Sequence, residues 1–265
     1  MGAVVLATND DGIEAPGLRA LVAGLARAGF RVYVSAPRRP SSSMGKALRY
    51  PARYGRIPFE GAVSAWWVDS TPAAAVVAAL RYFLDEPPRV VVSGINRGPN
   101  MGVEDLLTSG TIGAAIEASL HGIPSIAVSL ATDEGRDVGD YSEAARLAAA
   151  LARAVVENPP PPGGPRLLVV NVPEGRPRGV RLTRLAWNDY RIPLREREQG
   201  ILEPVPHSYR ERYWDRGPGT DVEAVLNGYA SVTPVCLAAL QQPRGLEWAR
   251  SLVGRVEEIL GAPRR

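Results

Sequence analysis

One cysteine, two histidines and one lysine in 265 residues remove several kinds of chemistry before any motif is read. The lone Cys236 excludes an internal disulfide and any multi-cysteine zinc site. In Val235-Cys236-Leu237 it reads as a small buried hydrophobe. With only His121 and His207, a histidine-rich metal site is out of reach and a Ser–His–Asp relay has few members to draw on. His121, in Leu120-His121-Gly122, reads as a helix end where imidazole meets the terminal carbonyls. What remains for metal chemistry is oxygen ligands and hard cations. No apolar run approaches the roughly 18 residues that cross a bilayer. No basic segment precedes the first apolar run, and Ala3–Ala7 is too short for a signal peptide. A cytoplasmic location without a membrane partner is the expectation. Gly-Lys-Ser and Gly-Lys-Thr are missing, so there is no P-loop. Gly-x-Gly-x-x-Gly is missing after the first strand, which argues against a dinucleotide oxidoreductase.

The net charge is +3 and the pI about 9.2, but the arginines are scattered. The densest group, Arg191 to Arg197, is interleaved with Glu196 and Glu198. That pattern suits a solvated surface or a subunit contact better than a phosphate-backbone track, so no stable nucleic acid partner is expected.

Ala3–Ala7 reads as a buried strand feeding a helix over Pro16–Ala28, where Leu18, Leu21, Val22 and Leu25 form a stripe. Strands are predicted at Arg31–Ala36, Ala65–Val68, Arg89–Ser93, Ser125–Ser129 and Arg166–Val172. Helices are predicted at Pro72–Leu84, Thr111–Leu120 and Tyr141–Val156. A hairpin or an excursion from the sheet fills the weakly periodic stretch before Gly61. The alternation predicts an α/β fold: a Rossmann-like, mainly parallel sheet with helices on both faces. From Trp187 to Trp214 the apolar period lapses, and aromatic and charged residues dominate. The chain then divides into a core over 1–186, an extended arm for subunit exchange over 187–215, and a returning strand and helix over 216–265. Trp187, Tyr190, Tyr209, Tyr213 and Trp214 are the expected interface aromatics, with a long loop covering its own subunit as the alternative. A strand at Gly228–Pro234 and a helix at Glu247–Leu260 close the reading.

Asn9-Asp10-Asp11-Gly12 follows the first strand, and ligands in open α/β sheets collect beyond the carboxyl ends of strands. Two adjacent carboxylates there repel unless a positive charge sits between them, and a divalent cation supplies it. The competing reading makes one Asp a helix cap and turns the other to solvent. Asn96, at another strand end, matches as a neutral oxygen ligand. Ser42, in the serine loop after the second strand, adds a hydroxyl. A lone Asn or Ser is more often explained by local turns and caps; their placement after separate strands favours ligation. Gly94, Gly98, Gly102 and Gly110 permit close backbone approach, and the helix near Thr111 begins with N–H groups that attract an anion. Asn9, Gly94, Ser109, Gly110 and Thr111 make the expected substrate side, with a simple N-cap as the alternative for the last three. Hydrolysis of a phosphomonoester by metal-associated water follows without a histidine. A covalent aspartyl-phosphate stays open, although Asp10-Asp11 differs from the Asp-x-Asp arrangement of haloacid-dehalogenase-like phosphatases.

Several motifs then occur in order. They are Thr8-Asn9-Asp10-Asp11-Gly12 with Ala15-Pro16-Gly17, Ala36-Pro37, Ser93-Gly94-Ile95-Asn96-Arg97-Gly98-Pro99-Asn100-Met101-Gly102 and Ser109-Gly110-Thr111-Ile112-Gly113-Ala114-Ala115. Further on come Asn171-Val172-Pro173, Gly219-Thr220-Asp221 and Gly228-Tyr229-Ala230-Ser231-Val232-Thr233-Pro234. Over nearly the whole chain this set resembles the SurE survival-protein family of nucleoside 5′/3′-monophosphate phosphatases. The resemblance implies a nucleotidase with one divalent cation per subunit, magnesium or manganese, held by Asp10, Asp11, Ser42 and Asn96. It also implies a homodimer or homotetramer with an exchanged C-terminal extension. Ser41 or Ser43 replaces Ser42 if the loop aligns one residue differently. Two departures stand out. Ala73-Ala74-Ala75 follows Ser70-Thr71-Pro72 where the family carries Asp-Cys shortly after Thr-Pro, and Arg38-Arg39 follows Pro37 where an acidic residue is usual. These arginines attract phosphate or simply reach solvent. A broad-specificity acid phosphatase, a short-chain polyphosphatase and a noncatalytic nucleotide-binding protein are the competing functions.

Overall fold

The computed structural model describes residues 2–133, 140–188, 194–205, 208–241 and 252. Its strands are β1 (Val4–Thr8), β2 (Arg31–Pro37), β3 (Tyr54–Ile57), β4 (Ser64–Val68), β5 (Val90–Arg97), β6 (Ser125–Ala131), β7 (Leu167–Pro173), β8 (Val180–Leu182), β9 (Leu194–Glu198), β10 (Ile201–Pro204) and β11 (Ala230–Val235). The helices are α1 (Pro16–Arg27), α2 (Pro72–Ala78), α3 (Gly102–Thr108), α4 (Gly110–Leu120), α5 (Ser142–Glu157), α6 (Tyr209–Arg212) and α7 (Asp221–Leu226).

One nine-stranded sheet runs β3-β4-β2-β1-β5-β6-β7-β11-β8. From β4 to β7 every pairing is parallel; β3 and β11 run antiparallel to their neighbours β4 and β7. Every residue of β1 is buried, as a central strand covered on both faces requires. Leu18, Leu21, Val22 and Leu25 of α1 are fully buried in the same cluster as Ala144, Ala145 and Ala148 of α5. Val76 of α2 and Ala114 and Ala118 of α4 pack on the opposite face against Leu6 and Val91. This is the expected Rossmann-like sheet with helices on both faces. Because β1 lies between β2 and β5, the chain leaves it in one direction through β2 and β4 and in the other through β5 to β7. The carboxyl ends of β1 and β5 therefore flank a topological switch point.

The structure differs from the sequence reading at several elements. The segment before Gly61 takes the hairpin alternative, β3 on β4, and the differences lie in the elements that follow. The predicted helix over Pro72–Leu84 stops at Ala78 and continues as a π-helical turn over Ala79–Phe83, which lays Phe83 on Trp66 with ring centroids 4.9 Å apart. Helix α3 has no apolar stripe, since its buried positions are Gly102 and Asp105, so hydrophobic periodicity misses it. Strand β8 is missed because Val180 and Leu182 are exposed. The strand after 216, expected to return to the core or an interface, pairs as β11 with β7 of the large sheet. Inside the predicted arm, Tyr209 and Tyr213 are buried in this same chain against Met101, Ala131, Ala186, Val222 and Val225. Trp187 and Trp214 stay exposed, at 70% and 44%. Tyr190, His207 and the Glu247–Leu260 helix, except Leu252, lie outside the described residues. Cys236 is half-buried, with its thiol 3.4 Å from the Gly163 carbonyl that accepts from it. Among the described residues, no helix is long and apolar enough to cross a membrane.

Candidate active site

A cleft of about 390 Å³ opens at the switch point. Asp10 and Asp11 line it from the turn after β1, Ser42 and Ser43 from the serine loop, and Asn96 to Asn100 from the end of β5. Thr108 and Ser109 reach it from the α3–α4 joint, and Thr132, Tyr209 and Arg212 close the remaining wall. The serine loop is fastened to its neighbours by backbone. Ser41 N–H donates to the Asp10 carbonyl at 2.8 Å, and Gly45 N–H to the Thr108 carbonyl at 2.8 Å.

Asp10 is 3% exposed. Burial, with the adjacent Asp11 carboxylate adding to it, pushes its carboxyl up to about 6. The Thr111 hydroxyl opposes the shift by donating to Asp10 Oδ1. Asp11 is also raised, chiefly by burial, while the Arg97 backbone N–H at 3.3 Å and the Arg97 guanidinium pull it back. Asn96 commits its Nδ2 to the Gly98 carbonyl at 2.8 Å, which leaves the amide oxygen as its ligating atom. Two carboxylates held above their ordinary range, a neutral amide oxygen and serine hydroxyls make an all-oxygen donor set of the kind a hard cation takes. Among the described residues no group of three or more His, Cys, Asp or Glu is placed to hold a metal ion.

The expected metal-side residues Asp10, Asp11, Ser42 and Asn96 thus meet in one cleft. Ser43 faces it as well, while the Ser41 hydroxyl donates to the Arg39 carbonyl at 3.3 Å. On the expected substrate side only Ser109 lines the cleft, and its hydroxyl caps α4 by accepting from Ile112 N–H at 3.2 Å. Thr111 is fully buried behind Asp10 and spends its hydroxyl there, not on the cleft. Gly110 has no room for any side chain, because an added Cβ would lie 2.8 Å from the Asp10 Cβ. Asn9 is buried and donates to the Gly12 carbonyl at 2.9 Å, which shapes the turn. Gly94, at φ 140°, abuts the Val128 carbonyl, which an added Cβ would approach to 2.3 Å. These residues build the walls and do not line them.

Arg38 lies over the Trp67 ring at 4.7 Å, and neither it nor Arg39 lines the cleft. His121 meets a carboxylate where terminal carbonyls were expected: its Nε2 is 3.1 Å from Glu117 Oε1. Sequence reasoning missed Arg97, Asn100, Thr108, Thr132 and the Tyr209–Arg212 pair as cleft residues. Asn100 sits inside a quoted motif and was within reach. Arg212 carries no local signal, because what places it is tertiary.

A doubly wound sheet whose switch point holds a carboxylate pair, neutral oxygen donors and a capped helix start defines a class of α/β proteins with an oxygen-lined cleft at the strand ends. Within that class the chain belongs to the survival protein SurE family, whose model matches residues 5–192. It is 44% identical over 245 residues to "5′-nucleotidase SurE 1" of Thermus thermophilus, covering 88% of this chain and 91% of that one. It is 44% identical over 253 residues to "5′-nucleotidase SurE" of Anaeromyxobacter dehalogenans, covering 90% and 92%. The crystal structure of the SurE protein from Aquifex aeolicus superposes with a TM-score of 0.73 at 34% identity, over 88% of this chain and 93% of that one.

Proposed function

We propose that the chain is a nucleotidase: a divalent-metal-dependent phosphomonoesterase that hydrolyses nucleoside 5′- or 3′-monophosphates to nucleoside and phosphate. The observation that supports it is the meeting of Asp10, Asp11, Asn96 and Ser42 beside the start of α4, in a chain whose relatives carry the name 5′-nucleotidase. Asp10, Asp11, Asn96 and Ser42 are the residues to hold a magnesium or manganese ion. A divalent cation supplies neutralisation of phosphoryl oxygens and lowers the pKa of water.

The chain's own groups do the rest. Asp10 is fixed by the Thr111 hydroxyl and by the missing side chain at Gly110, so its carboxylate keeps one orientation. Helix α4 begins beside the cleft residue Ser109, so the positive end of its dipole borders the cleft, while its Thr111 N–H bonds Asp10 and its Ile112 N–H the Ser109 hydroxyl. Arg97 draws an anion to the rim. The turn at Asn9–Gly12 and the serine loop hold the carboxylate pair at the strand end.

The experiment is phosphate release from 5′-AMP, 5′-GMP, 3′-AMP, p-nitrophenyl phosphate and tripolyphosphate, with and without added magnesium or manganese. Release from the nucleotides that vanishes on chelation is expected. Preference for p-nitrophenyl phosphate or short polyphosphate would replace the nucleotidase reading by a broader phosphatase. Tight nucleotide binding without release would make the chain a binding protein, and full turnover in protein shown to be metal-free would remove the cation.

A further inference from the structure

We propose that Arg212 is a phosphate-contacting residue of this cleft, held in place by the buried Asp105. The proposal rests on the nucleotidase reading, and it adds a cation from the segment that the sequence assigns to subunit exchange.

The placement comes from two fastenings. Ser208 Oγ and Tyr209 N–H both donate to Asp133 Oδ1, at 2.8 and 2.9 Å, next to the cleft residue Thr132. At the other end Arg212 Nη2 donates to Asp105 Oδ1 at 3.0 Å. The second Asp105 oxygen accepts from Met101 N–H at 2.8 Å and from the Tyr213 hydroxyl at 2.5 Å. Asp105 is 1% exposed and the Arg212 side chain 15%. A carboxylate so fully bonded has a set orientation, and it sets the plane of the guanidinium paired with it. Tyr209 and Tyr213 lock the segment into the cluster around Met101.

Arg212 lines the same cleft as Ser109, the residue that caps α4. Asp105 lies one helical turn before Ser109, about 6 Å of rise, and its carbonyl accepts from Ser109 N–H at 3.0 Å. Ser109 caps α4, and the Asp105 that holds Arg212 is thus joined by backbone to the residue at that helix start. Charge points the same way. The charged residues lining the cleft, among those described, are Asp10, Asp11, Arg97 and Arg212. Arg97 already bears on Asp11. Arg212 brings a guanidinium to the cleft lining, its net charge offset in part by the buried Asp105 while its N–H donors suit phosphate oxygens. Guanidinium is the side chain suited to planar recognition of phosphate oxygens.

The test is calorimetric binding of inorganic phosphate in saturating manganese, beside kcat and KM for 5′-AMP and inhibition by adenosine. Two variants separate the contact from folding. Arg212→Gln keeps an N–H for Asp105 and removes the charge. Arg212→Met combined with Asp105→Asn removes both charges, so no buried carboxylate is stranded. In whichever variant retains the parent melting profile, phosphate affinity should fall about ten- to hundred-fold, the scale of a charge-assisted hydrogen bond, with KM rising alongside. Adenosine inhibition should stay within about two-fold. Phosphate affinity within two-fold of wild type in a folded variant overturns the proposal and leaves Arg212 as counter-ion to Asp105. Arg212-dependent phosphate binding in a chain that releases nothing from nucleotides would support the contact while sinking the nucleotidase reading, so the two failures are distinguishable.

Discussion

Asp10 sits in the native state under burial and beside a like charge, and its carboxyl is pushed up to about 6 from an ordinary 3.8. A carboxyl whose folded value exceeds its unfolded one holds its proton more tightly in the folded protein. Its contribution to stability therefore declines as pH rises from about 4 to about 6, and the loss persists at higher pH. For a fully buried group this shift corresponds to ~3 kcal/mol, taken as an order of magnitude. Asp11 and Asp221 are raised as well and act in the same direction. Cation-free protein should therefore melt at higher temperature at pH 5 than at pH 7, and Asp10→Asn should flatten part of that slope. The same variant should raise the melting temperature at pH 7.5 in chelator and lower turnover by orders of magnitude, since it relieves the repulsion and removes the charge a cation would use. Calorimetry across pH beside phosphate release checks both halves. An Asp10→Asn protein that is less stable and fully active would return the residue to a structural role.

Helix α4 and the serine loop are in contact at Gly113, where an added Cβ would lie 2.1 Å from the Gly45 carbonyl oxygen. Lys46, the next residue of the loop, is 2.5 Å from the buried Glu117 one turn further along α4. The loop that carries Ser42 and Ser43 is therefore indexed against the helix whose start borders the cleft. Gly113→Ala must displace backbone, not a flexible side-chain tip, and should cost about 1–3 kcal/mol. It should also weaken manganese affinity several-fold although it touches no proposed ligand. A manganese titration beside a melting curve decides this, and unchanged affinity would uncouple loop from helix. The same elements show what a sequence can disclose. The turn at Asp10-Asp11, the position of Asn96 and the parallel βα order were legible, because buried strands, glycine-rich loops and capped helices leave local patterns. Thr111 was legible as part of a helix start, but the partner of its hydroxyl was not, since that group turns to a residue 101 positions away. Helix α3, Asp105 and Arg212 were invisible as a unit, because the link between them spans 107 positions and no local period records it.

Across the whole molecule, the segment read as an arm is of two kinds. Tyr209 and Tyr213 belong to the interior, whereas Leu194, Leu202 and Trp187 are exposed at 61%, 68% and 70%. The β9–β10 hairpin, not the aromatic pair behind it, is then the part to expect at a subunit contact. Replacing 194–204 by a short linker should yield a monomer with the cleft wall at Arg212 retained, read by sedimentation and by phosphate release. A wild-type chain that sediments as a monomer at micromolar concentration would dismiss the assembly altogether. The order of strands in the large sheet carries a different consequence, for the timing of synthesis. β11 lies between β7 and β8, both of which leave the ribosome before it. Until residue 235 has emerged, β7 presents an open apolar edge and β8 has no neighbour to pair with. The Arg212 wall also comes more than a hundred residues after Asn96. A chain stopped near residue 229 should therefore aggregate instead of folding to a smaller active form, and during translation the enzyme should gain both its solubility and its activity late, from its last third.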